Sequence, residues 1–171
     1  MLFKQKQKRG TTLNQMNLVQ DLNKSRLTLF YPKDCITVLK YNEYEIPVVL
    51  KSRFLMSCGF MFSCATRLAD SSTIIVVDKY FMELPEECKD FLLFHELGHI
   101  INGDTNLTET EAVKEFNNRT QGILSEREIK ADKFASERIT YKKAKKVLKY
   151  LVKNYSLAEK EMKLRIKALS K

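Results

Sequence analysis

Two histidines, three prolines, five glycines and no tryptophan are thin material for a chain of 171 residues. Each scarcity removes a class of protein. No run approaches the roughly 18–20 apolar residues that cross a bilayer as a helix, so no membrane partner is expected. The opening MLFKQKQKRGTT is basic and lacks the apolar segment and small-residue cleavage site of a secretion signal. A cytoplasmic location is therefore expected. The four cysteines, Cys35, Cys58, Cys64 and Cys88, include no CxxC pair. In a reducing compartment they read as small core residues, with a zinc role for one of them the lesser alternative. No internal repeat and no low-complexity linker divides the chain.

Apolar residues make up 44% of the sequence, enough for one core, and a single domain over 1–171 is expected. Within it, residues 1–50 form an N-terminal segment without an assigned role, and 51–171 the catalytic core. The net charge of +9 is uneven. Residues 1–10 carry +4 and residues 138–171 carry +10, which leaves −5 between them. A basic end of this kind meets nucleic acid or an acidic partner, or is a solvated helical face.

Periodicity places a helix over 11–25, where Leu13, Met16, Val19 and Leu22 recur at spacing three. Short strands follow at 26–31, 35–41 and 45–51, with turns at Tyr31-Pro32 and Asn42-Glu43. Residues 59–68 and 73–78 read as two more strands joined by a hairpin turn at 69–72. A helix begins near Pro85 and stops at Asn102-Gly103. A short helix from Thr108 is possible in the polar stretch 104–124. Further helices start at Ser125, at Thr140 and, through a capping box, at Ser156.

The chemistry lies in FLLFHELGHIINGD. His95 and His99 are four apart, so on a helix their imidazoles share one face and can share a metal. Glu96 stands beside the first ligand, where it can serve as general base toward an activated water. These are the chain's only histidines, they follow an apolar run in which unpaired polar groups are costly, and Gly98 interrupts the helix at about 1 kcal/mol relative to alanine. Close packing against that turn would explain the glycine. A pair of ordinary helix histidines is the bland alternative.

A zinc site needs a third protein ligand and an open position. With no third histidine, that ligand is Asp, Glu or Cys. Glu128 in SEREIKADKFASERI is the best candidate, and Asp132, four residues on, can hydrogen-bond a ligand histidine. Ser125-x-x-Glu128 is also a capping box, and Glu126 is a rival ligand.

HELGH followed by Glu128-x-x-Ala131-Asp132 resembles the gluzincin metallopeptidases. TIIVVDKYFMELPEE, HELGHIINGD and the terminal Arg165-Ile166-x-x-Leu169 resemble the HtpX-like peptidases and their soluble minigluzincin relatives. Ala131, Phe134 and Ala135 also fit the ImmA/IrrE family. The resemblance covers roughly 59–169. It implies a zinc endopeptidase with one Zn2+ per chain held by His95, His99 and Glu128, with Glu96 as base and a protein or peptide as substrate. For the ImmA/IrrE family, that substrate would be a helix-turn-helix repressor. The expected fold is α+β and zincin-like: a small mixed or antiparallel sheet, the HExxH helix and C-terminal helices. Substrate would lie along strand 73–78 at Ile75, Val76 and Val77, if that strand is an edge rather than core. Tyr141 and Arg165 are candidates for stabilising an oxyanion. The alternative function is a latent or inactive zinc-stabilised module that binds nucleic acid or a repressor through its basic tail.

Overall fold

The computed structural model describes residues 34–51, 62–68, 71–106, 123–155 and 159–169, with isolated positions between 107 and 122. The expected helix at 11–25, strand at 26–31, short helix from Thr108 and capping box at Ser156 lie wholly or largely outside these residues.

Four strands form a mixed sheet: β1 (Cys35–Tyr41), β2 (Tyr44–Leu50), β3 (Ser63–Arg67) and β4 (Thr73–Val77), in spatial order β1-β2-β4-β3. β1 and β2 are an antiparallel hairpin turning at Asn42, whose φ of 49° suits asparagine. β2 then runs parallel to β4, and β3 antiparallel to it. Pro47 has no N–H to donate, and it sits just before Val48, where β2 becomes paired on both sides.

β4 is central, and Ile74 to Val77 are 0% exposed. Ile75 and Val77 join the main core, while Ile74 and Val76 cluster with Val49 on the other face. This double burial accounts for the unbroken apolar run. It also corrects the expectation that 73–78 is an exposed edge: β3 occupies the side where a peptide would have paired.

Helices cover the main-core face of the sheet. A short α1 (Lys79–Glu83), which the sequence pattern did not suggest, is capped by Asp78, whose carboxylate accepts from the Phe81 amide at 2.8 Å. Leu84 and Pro85 break the chain, and α2 (Glu86–Ile101) begins with Glu86 and Glu87 at the positive end of its dipole. It stops at Asn102 and Gly103, where φ is 77°. A 3-10 turn (Asp104–Asn106) follows. α3 (Glu126–Ile139) is capped by Ser125, and α4 (Tyr141–Tyr155) and α5 (Glu159–Ala168) complete the layer. No helix among the described residues is long and apolar enough to cross a membrane.

Helices α2 and α3 approach closely at Gly98. A Cβ there would lie 3.0 Å from the Ala131 Cα and 3.3 Å from its carbonyl oxygen. The glycine therefore serves the contact between the two helices that carry the site. Val147, Leu148 and Leu151 on α4 and Met162 on α5 close the core around them.

Candidate metal centre

One turn of α2 sets the His95 and His99 rings edge to face, 4.7 Å apart between centroids. Their Nε2 atoms lie 3.1 Å from each other. From α3, the Glu128 carboxylate reaches both, with Oε2 at 3.3 Å from His95 Nε2 and Oε1 at 3.5 Å from His99 Nε2. Each of the three residues offers a ligand atom within 4.8 Å of the others.

Each imidazole is oriented from behind. His95 Nδ1 meets Asp132 Oδ1 at 2.9 Å, and His99 Nδ1 meets Asp104 Oδ2 at 2.9 Å. A carboxylate accepts, so each Nδ1 is the protonated nitrogen and each Nε2 turns a lone pair inward. Two lone pairs and a carboxylate thus converge on one point, which suits a divalent cation. Two imidazoles and one carboxylate are the donor set zinc takes in catalytic sites, with a position left open.

A buried guanidinium braces this arrangement. Arg165 of α5 donates to both oxygens of Asp132, from Nε at 2.7 Å and Nη2 at 2.6 Å. Its Nη1 lies 3.1 Å from Glu128 Oε2 and 3.7 Å from Glu161 Oε1. Burial is the largest influence on the Glu128 and Asp132 carboxyls and pushes them up, but Arg165 and the histidines bonded to them together outweigh it, and both are held below the usual carboxylate range. Both histidines are driven the other way. Burial opposes their charge, but the acids around them prevail: Asp132 and Glu128 raise His95, while Asp104 and Glu128 raise His99 to about 10. Protons and a metal ion therefore compete for the same lone pairs.

Glu96 lies near enough to the cluster for its charge to help raise His99, and its carboxylate rests against β3. Its Oε1 accepts from the Ser63 hydroxyl at 2.8 Å, and its Oε2 from the Ala65 amide at 2.8 Å. Asp78 donates its N–H to the Phe62 carbonyl, and Leu68 donates its own to Ser72, so even-numbered residues of β3 pair with β4. Ser63 and Ala65 turn their backbone groups to the side away from β4, along which Glu96 lies.

The structure thus brings together His95, His99, Glu128, Asp132 and Arg165, with Glu96 on the adjoining strand. It separates other candidates from them. Glu126 is on the outer face of α3, its side chain 80% exposed and paired with Lys130. Ile75, Val76 and Val77 are sealed inside the sheet between β2 and β3. Tyr141 is 43% exposed at the start of α4, outside the hydrogen-bond network around the cluster. Arg165 is committed to three carboxylates, so its part is to brace the cluster, not to meet an oxyanion. Among the described cysteines, Cys35, Cys64 and Cys88 are free thiols, and burial pushes Cys88 up to about 11.

Two residues escaped the sequence reading. Asp104 carried a faint signal, an acid just past the Asn-Gly helix stop, where a tight turn can fold it back on the last helical turn. Ser63 carried none, because nothing in a strand's sequence says which helix it faces. The chain matches no protein-family model, no curated protein and no solved structure.

Proposed function

We propose that this chain is a zinc-dependent endopeptidase of gluzincin type, built on a zincin-like arrangement of sheet and helices. One observation carries the reading: His95 Nε2, His99 Nε2 and Glu128 converge from two helices, each histidine backed by its own carboxylate. Glu96, one residue from the first ligand, is the carboxylate available as base. Zinc held by the three residues would supply an acidified water and polarise a peptide carbonyl.

The protein's own groups fill the remaining parts. Glu96 takes the water's proton and returns it to the leaving amine. Asp132 and Asp104 keep both imidazoles in the tautomer that ligates. Arg165 neutralises Asp132 and Glu128, which lets three carboxylates crowd into the core. The side of β3 away from β4, which pairs with no other strand among the described residues, suits an extended peptide that adds as a further strand.

Metal content of wild type, His95→Ala and Glu128→Ala, measured by mass spectrometry, tests the site. The reading expects about one zinc per wild-type chain and its loss in both variants. Cleavage of an unfolded protein by wild type, abolished in Glu96→Gln, tests the activity. Zinc-reconstituted wild type that holds no metal would end the reading.

A second reading rests on α4. Lys142, Lys146, Lys149 and Lys153 are exposed, and helical spacing puts them on one face. A zinc-stabilised module binding nucleic acid through that face would show affinity that falls steeply with salt and survives Glu96→Gln.

A further inference from the structure

Ser63 is a buried polar side chain on a strand whose neighbours are mostly apolar. A hydroxyl in that position is costly unless it is bonded, and its bond goes to Glu96 Oε1 at 2.8 Å. The Ala65 amide donates to the other oxygen of the same carboxylate at 2.8 Å. Ser63 and Ala65 are two apart on β3, and their donors, one a side-chain hydroxyl and the other a backbone N–H, meet the two oxygens as a pair. Glutamate is among the side chains with most rotamer freedom to lose on burial. Two convergent donors from a rigid strand restrict the carboxylate to one direction. The backbone donor is independent of residue type. The hydroxyl is the part that this sequence supplies.

We infer that Ser63 is a positioning residue for Glu96: with the Ala65 amide, it aims the general base of the metal centre. The role rests on the metallopeptidase reading. It also sets a condition on substrate. The Ala65 N–H is the outward-facing donor at the middle of β3, and Glu96 occupies it. A peptide pairing along this edge therefore relies on the carbonyl side of Ala65, and the base is held beside it as the strand docks. Ser63 touches neither the three ligands nor their supporting acids in the bonds described, so its removal acts on the base and leaves the metal in place.

The test uses zinc-loaded full-length protein and acetohydroxamate, a small zinc chelator whose proton a neighbouring carboxylate accepts. Ser63→Ala should keep about one zinc per chain and a wild-type melting temperature within a few degrees. Its affinity for acetohydroxamate should fall about tenfold, the loss of one hydrogen bond to a charged group. Ser63→Thr should restore it. On a Glu96→Gln background, Ser63→Ala should add nothing, because its effect passes through the carboxylate. On any peptide that wild type cleaves, kcat should fall with KM held. Affinity equal to wild type in Ser63→Ala, or an equal loss with and without Glu96, would overturn the role. Should Ser63→Ala fail to fold, Ser63→Cys replaces the hydroxyl by a weak donor of similar size and must show the same loss. Wild type that holds no zinc would remove the metallopeptidase reading and the role with it, an outcome distinct from a Ser63 variant that behaves like wild type.

Discussion

At each histidine of the candidate metal cluster, one nitrogen faces Glu128 and the other is held by an acid. Nδ1 of His99 is held by Asp104, and Nδ1 of His95 by Asp132, but the two acids are not equivalent. Asp132 is 1% exposed and clamped by Arg165, whereas Asp104 sits in a tight turn beside the Arg127 guanidinium, 3.6 Å away. Replacing Asp104 by Asn keeps the shape but removes the charge that supports the imidazole. Zinc affinity in Asp104→Asn should fall about 10- to 100-fold, read by competition with a chromophoric chelator. Retained wild-type affinity would mean that the turn alone orients His99.

Helices α2 and α3 carry the three residues that could hold a metal, and their separation is fixed by what lies between them. Alanine at position 98 would gain about 1 kcal/mol of helix propensity. Its methyl would meet the Ala131 backbone at 3.0 Å, and backbone cannot swing away like a flexible side chain. Gly98→Ala should therefore lower the melting temperature and weaken zinc binding together, because moving α3 outward withdraws Glu128 from the histidines. Helix α5 contributes through one residue. Arg165→Met should deprive the buried Glu128, Asp132 and Glu161 carboxylates of their shared guanidinium and cost about 3–5 kcal/mol in denaturant unfolding. Adding zinc should restore part of that loss, since the cation replaces some of the missing positive charge.

Over the whole molecule, the site is a reservoir of charge that responds to pH with a definite sign. The folded protein holds His99 at about 10, above its usual 6.5. A raised value of this kind stabilises the fold fully below pH 6.5 and loses that contribution as pH rises through about 10. Metal-free protein should therefore become less heat-stable across this range. Zinc needs the deprotonated ring, so its stabilisation grows over the same range. Melting curves with and without chelator should diverge from pH 6.5 to about pH 9. A constant gap would show that His99 does not exchange a proton for the metal.

Local patterns foretold much of this. The HExxH spacing needs only the geometry of a single helix, the Asn102-Gly103 stop needs only backbone preference, and the apolar run at 74–77 needs only burial on both faces. Glu128 could be nominated because Ala131 and Asp132 share its helix. Contacts between elements were another matter. The pattern of β4 is the same whether it lies at an edge or in the middle, and only the docking of β3 distinguishes the two. Ser63 reads as an ordinary strand residue until β3 lies against α2, and Arg165, nominated to stabilise an oxyanion, is seen to brace Asp132 and Glu128 only once α5 folds across α3. Ligand type follows from periodicity, which is encoded along the chain. The bonds of Asp132 to His95 and Arg165, and of Ser63 and Ala65 to Glu96, join residues 31 to 37 positions apart, and they exist only once the core has packed.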